Sequence, residues 1–137
     1  MPTMTGTLAT IVTSLRAAYT APVEEYYRTT APSDLALYVQ PFDDGPEFSP
    51  QIGNVFYSDM TFHVILEIPW DDKQATAQEL STAYETLKTW VAANRDIAAS
   101  YVMTRGESKW YRIDYPNVQL PSYCIIVPLL IEWPKAG

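Results

Sequence analysis

Few side chains in this sequence have the type and spacing to do chemistry. One cluster interleaves cations with aromatic rings over a short stretch: Arg105, Lys109, Trp110, Tyr111, Arg112 and Tyr115. Such a mixture can stack on nucleic-acid bases, and the same residue types are enriched in protein interfaces. The chain carries a formal charge of -7, which works against gripping a phosphate backbone. An interface is therefore the stronger reading, with Arg105, Lys109, Trp110 and Arg112 as candidate subunit contacts. A second group, Asp43, Asp44 and Glu47, lies among Pro41, Gly45, Pro46, Pro50 and Gly53. These acids are candidates for a binding loop or a lumen-facing surface, or simply for a solvated excursion.

Conventional catalytic chemistry finds little to use. His63 is the sole histidine, and a lone strand histidine is more often structural than a ligand or a base. Without a second histidine, or the cysteine and acid spacings that zinc or calcium require, no metal site can be drawn. Five glycines leave little for a phosphate-cradling loop, and no nucleophile-elbow, phosphate-loop or dinucleotide motif is present. The carboxylate pairs Glu24-Glu25, Asp43-Asp44 and Asp71-Asp72 read as caps or solvated charge. No acid plainly sits in the apolar cleft that would tune it for proton transfer. The expectation is a protein that is not an enzyme and needs no cofactor or metal. A small hydrolase or ligand-binding domain around His63 or Asp71-Asp72 is the alternative from another class, and a nucleic-acid module acting through residues 105–115 is a third. Cys124 has no partner for an internal disulfide and lies in an apolar run, which is the setting of a small buried hydrophobe.

The elements that must hold these residues are legible by period. Met60 to Ile68 alternates, with Phe62, Val64, Leu66 and Ile68 on one side, and Pro69 closes the strand. Asp71, Asp72 and the Thr76-x-x-Glu79 spacing then offer helix starts, and Leu80, Tyr84, Leu87 and Val91 recur on one helical face. Upstream, Leu8, Ile11, Val12, Leu15, Ala18 and Tyr19 predict a helix over about 5–20, with Thr5 or Thr7 as N-cap and Pro22 ending it. Residues 24–28 resist assignment, and 35–39 read as a short strand. Residues 40–58, with three prolines and two glycines, predict a long Pro-rich acidic loop. Residues 98–104 and 109–115 flank a four-residue loop at 105–108 and predict a hairpin. Residues 116–121 form a linker. The last strand, 122–133, is apolar on both faces, so it is central or covered on both sides, and Pro128 marks an edge, bulge or kink within it. The fold class is α+β: one domain over residues 1–137, with a mainly antiparallel sheet of four to five strands and two helices packed on one face.

Length, with 47% apolar and 13% aromatic residues, supports one folded domain with a real core. No apolar run is long enough to span a membrane, and the N-terminus lacks a basic, apolar leader, so synthesis in the cytosol is expected. Charge is unevenly placed. Residues 1–72 hold ten acids and two bases, or -8, whereas residues 73–137 hold six acids and seven bases, or +1. That split suits copies packing unlike surfaces head to tail in a ring, although an acidic skew serves solubility equally well.

Three stretches carry a resemblance to a known family. They are the helix ending at Tyr19-Thr20-Ala21-Pro22-Val23, the Phe62-x-Val64-x-Leu66 strand running into a long helix, and the closing Tyr115-Pro-Asn-Val-Gln-Leu-Pro-Ser-Tyr-x-Ile-x-Val-x-Leu-x-Ile-Glu-Trp133. In length, element order and final-strand character the chain resembles the small tail-terminator (tail-completion) proteins of long-tailed bacteriophages. The resemblance implies a non-enzymatic virion subunit, made in the host cytoplasm, that forms a hexameric ring at the head-proximal end of the tail. Such a ring caps the tail tube and joins it to the neck or connector protein. DNA passes through an acidic lumen without specific binding. Another head-tail neck or tail-tube subunit is the alternative within the same class. No single side chain carries over from the family's pattern.

Overall fold

A computed structural model describes residues 3–28, 30–43, 47–52, 55–98 and 101–132. In chain order the elements are α1 (Met4–Ala18), β1 (Val23–Glu25), β2 (Ala36–Asp43), β3 (Glu47–Ile52), β4 (Val55–Ser58), β5 (Met60–Pro69), α2 (Gln74–Ala93), β6 (Val102–Arg105), β7 (Lys109–Ile113) and β8 (Ser122–Glu132). The main sheet runs β1-β2-β5-β8, with β6 and β7 both pairing β8 at its far side. Only the β1–β2 pairing is parallel. Both helices cover one face, so the class is α+β with two helices on a mainly antiparallel sheet, as the periodicity predicts.

The core is built on β5 and β8, which pair without interruption from Met60↔Ile131 to Pro69↔Ser122. Alternation puts Phe62, Val64, Leu66 and Ile68 of β5 and Ile125, Val127, Leu129 and Ile131 of β8 into one buried cluster. Leu37 and Val39 of β2 join them, as do Leu8, Ile11, Val12 and Leu15 of α1 and Leu80, Ala83, Leu87, Trp90 and Val91 of α2. Trp90 donates its indole N–H to Ser14 Oγ at 2.9 Å, and Tyr19 donates its hydroxyl to the Ala83 carbonyl at 2.6 Å, so the two helices are fastened to each other as well as to the sheet. Helix α1 starts one residue earlier than the predicted 5 and ends two before 20, and neither Thr5 nor Thr7 is its N-cap. Its N-cap is Thr3, whose hydroxyl accepts from Gly6 N. Helix α2 also starts before Thr76, with Lys73 at the N-cap position. Asp71 accepts the Lys73 backbone N–H at 3.0 Å and the Thr76 hydroxyl, and so organises the turn into the helix.

Two expectations are corrected. Residues 40–58 are not a structureless loop: β2 extends to Asp43, and β3 and β4 form a separate two-stranded antiparallel sheet. The β-formers Phe48, Ile52, Val55, Phe56 and Tyr57 outweigh the prolines there, because a two-stranded ribbon has edges where a missing N–H costs nothing. Nor do residues 98–115 make a hairpin. β6 pairs Leu129–Glu132 and β7 pairs Ser122–Ile126, so the two lie end to end along one edge of β8. The interruption between them sits opposite Pro128. Gly106 donates its N–H to the Pro128 carbonyl at 2.8 Å. In an extended strand a residue's own N faces the same side as its O, so the donor that Pro128 lacks is missing where the edge strand bulges away. A Cβ on Gly106 would stand 3.1 Å from Pro128 Cβ, so glycine permits this close approach. Of the three options for Pro128, the bulge is the one adopted, on the neighbouring strand.

Candidate functional site

The residues singled out by sequence fall on different surfaces. Register places Arg105 opposite Leu129 and Trp110 opposite Ile125, on the helix-bearing face, and Lys109 opposite Ile126, on the other. Arg112, opposite Tyr123, shares the side of Trp110. The four candidate contacts are therefore split by the sheet rather than gathered in one patch. Tyr84 of α2 organises the first group. Arg105 Nη1 donates to its hydroxyl at 3.0 Å, Ser108 Oγ lies 2.8 Å from the same oxygen, and Trp110 meets its ring edge-on at 6.2 Å. Lys88 and Arg105 both stand near the Tyr84 ring, at 5.3 and 5.9 Å from its centroid. Arg112 reaches only Asp114, at 3.2 Å. Residues 109–112 are all exposed, with Trp110 at 53% and Tyr111 at 46%, so an aromatic, cationic edge strand is left uncovered.

Asp43 ends β2 and Glu47 begins β3, but their side chains, like the whole of Asp44, lie outside the described residues. Asp43 is thus the last residue of a main-sheet strand and Glu47 the first of a ribbon strand.

The helix-free face of the sheet carries the chain's least expected feature. Glu67 is fully buried, at 0% exposure. Its Oε1 accepts from the Tyr27 hydroxyl at 2.6 Å and its Oε2 from the Tyr115 hydroxyl at 2.6 Å, while the two phenolic oxygens lie 2.6 Å from each other. The sequence reading did not single out Glu67. Ala36, Tyr38, Ile65 and Cys124 form a buried cluster on this face, with Tyr27, Ile113 and Ile126 packed on it. The two phenols arrive from opposite ends of the chain. Tyr26 adopts φ 66° directly after β1, donating its N–H to the Val39 carbonyl, and this left-handed turn directs Tyr27 back across the sheet. Tyr115 follows β7. Proton counting constrains the ring of three short contacts. The two phenolic protons satisfy two of them, as donors to the two carboxylate oxygens. Burial, then the bonds to Glu67, push the Tyr115 hydroxyl up to about 12 and raise Tyr27 further. Burial, reinforced by the Glu67 charge, raises the Cys124 thiol to about 11, in keeping with a packed thiol rather than a reactive one. The concavities around Trp90, Tyr19, Pro32 and Phe42 are lined by other residues. The Glu67 carboxyl acts as a latch that holds the segments around Tyr27 and Tyr115 to the sheet.

On the same face lies a concavity of about 490 Å³, lined by Phe42, His63, Glu107, Lys109, Tyr111 and Pro128 among others. The His63 imidazole stacks on the Phe42 ring with centroids 4.1 Å apart, and burial lowers its basicity. Asp71 and Asp72 are elsewhere. Asp71 is held below the usual carboxylate range by the Thr76 hydroxyl and the Lys73 N–H, and Asp72, at φ 61°, accepts from the Trp70 indole. Among the described residues no three His, Cys, Asp or Glu side chains are grouped to hold a metal, and no helix is long and apolar enough to cross a membrane. No protein-family model matches the chain, and no curated protein matches it in sequence.

Proposed function

We propose that this chain is a structural ring subunit of a phage tail, a tail terminator that caps the tube and joins it to the neck while DNA passes through the lumen. The observation that carries the reading is the exposed edge strand β7. An acidic chain presents Lys109, Trp110, Tyr111 and Arg112 together on its outermost strand, with ladder positions open to another protein. The sequence split between an acidic first part and a near-neutral, Arg- and Lys-bearing second part suits a head-to-tail neighbour. The order of a first helix, a long strand, a long helix and a closing apolar strand accords with the resemblance. Ring closure protects the open edge as well as joining the copies, because an unpaired strand is otherwise a template for uncontrolled association.

The test is assembly. Purified protein at micromolar concentration is expected to give a closed ring by mass photometry and negative-stain microscopy, and to stop the growth of tail tubes when added to polymerising tube protein. A protein that stays monomeric across that range and leaves tube length unchanged would remove the proposal. A ring that adds to tubes without stopping them would favour the neck or tube alternative.

A further inference from the structure

Two surface segments of this subunit are held down by one phenol each. From Glu24 to Asp34 no described residue is buried, and the same is true from Asp114 to Pro121. Segments with so little buried apolar surface lie at the low-stability end of a fold. Each turns through a left-handed residue that is not glycine, Tyr26 at φ 66° and Asn117 at φ 63°. Each also sends its phenol to the same acceptor: Tyr27 donates to Glu67 Oε1 and Tyr115 to Glu67 Oε2, both at 2.6 Å.

Register leaves room for this convergence. On β5, Glu67 stands opposite Ala36 of β2 on one side and Cys124 of β8 on the other. These are small side chains, so a ring can pass over each neighbouring strand to reach the middle of the sheet. Tyr27 follows β1 at one edge of the sheet and Tyr115 follows β7 at the other. Those edges are four strand spacings apart, or roughly 19 Å. Their two segments nevertheless share one carboxylate, which is 0% exposed.

Two opposing effects decide how the segments influence each other. Two donors on one carboxylate divide its charge, which weakens each bond a little. Each ring also keeps water from the other's bond, and a charge-assisted hydrogen bond is much stronger dry than wet. Glu67 meets no solvent while both phenols are in place, so the exclusion of water outweighs the sharing of charge. Lifting either ring hydrates the carboxylate and breaks the 2.6 Å contact between the two phenolic oxygens, which loosens the remaining one.

We infer that the Tyr27 and Tyr115 segments open and close as one unit through Glu67, a two-armed clasp that links opposite edges of the sheet. A change at β7 is therefore felt beside β1, and by reciprocity the converse holds. The clasp is independent of the ring reading and operates equally in a single copy.

The test is amide hydrogen exchange on the full chain, read by mass spectrometry in peptides covering residues 23–28 and 109–118. Tyr115→Phe alters the second segment and is expected to speed exchange in the first, across the sheet, roughly fivefold or more. Tyr27→Phe is expected to do the same to residues 109–118 by a similar factor. Peptides of α2 should keep the rates of the unsubstituted protein. Acceleration confined to the altered segment, or spread evenly through α2 as well, would overturn the clasp. Should either variant fail to fold, the unsubstituted protein decides. At low concentrations of denaturant its two peptides should share one opening free energy and one slope, both below those of α2. Two separate openings, or opening only with the whole fold, would overturn it equally.

Discussion

On the helix-bearing face of the sheet, Phe62, Val64, Leu66 and Ile68 of β5 are sealed beneath two helices in one large apolar cluster. One residue along the same strand, on the other face, Thr61, His63, Ile65 and Glu67 meet a small cluster, two phenols and an open concavity. The first face is filled by side-chain volume. The second is held by hydrogen bonds at the Glu67 end and left unfilled at the Phe42 end. The two faces of one sheet are thus closed in different ways, and β5 contributes side chains to both.

That division orders the expected effects of substitution. Phe62→Ala, which empties a fully buried site in the large cluster, should cost roughly 3–5 kcal/mol in chemical denaturation. An equal loss from a substitution such as Tyr111→Ala, on the open face, would break the comparison. Glu67→Leu leaves both phenols without their acceptor and should cost about 1–3 kcal/mol. Glu67→Gln should cost distinctly less, since an amide can accept from one phenol and donate to the other, giving three donors for three contacts. The matching double-mutant cycle between Tyr27→Phe and Tyr115→Phe should show coupling of more than about 0.5 kcal/mol, because the two hydroxyls share one acceptor.

The latch also sets a pH dependence. Cys124 is raised from 9.0 to about 11, Tyr115 from 10.0 to about 12, and Tyr27 further still. Each folded value lies above the unfolded one, so the folded state holds its protons longer. This stability is complete below pH 9 and lost as pH rises through the folded values. The melting temperature should therefore fall steadily above pH 9. It should fall less steeply in the Tyr27→Phe, Tyr115→Phe double variant, which a thermal melt at stepped pH would show. The smallest effect expected is a gain. Tyr26 is exposed and held at φ 66°, a region that costs a bulky residue roughly 1–2 kcal/mol. Tyr26→Gly should stabilise the fold by up to that amount, less the entropy that glycine adds to the unfolded chain.

What was legible in the sequence follows the same line. β5, α1 and α2 announce themselves because their periods are local and their apolar residues face one way, and the two-faced apolarity of β8 marks it as central. The rest depends on contacts distant in sequence. β1 is three residues long, and its pairing with β2 is parallel, which nothing in Glu24-Glu25 foretells. β6 and β7 read as a hairpin because a short loop separates two strands. Pro128, more than twenty residues on, lies opposite the interruption that sets them end to end on β8. Glu67 was missed for the most instructive reason. Alternation assigns it to the outer face of β5, where acids are normally solvated, and only the arrival of Tyr27 and Tyr115 from far along the chain encloses it. One signal was present: a single acid between Leu66 and Ile68, on the strand paired to the most apolar segment of the chain. The cationic aromatic cluster reads as one set of residues in the sequence, but alternation along β7 deals its members to two faces, which its composition could not reveal.

The most direct measurement of the proposed ring, with the exposed β7 strand at its contact, is the mass distribution of Lys109→Glu beside the unsubstituted protein, with thermal stability recorded on the same samples. The unsubstituted chain is expected as a ring, near 93 kDa if it holds six copies of the 15.5 kDa chain, and Lys109→Glu as monomer with its melting temperature changed by no more than about 2 °C. Rings that persist in Lys109→Glu, or assembly lost only together with the fold, would contradict the account.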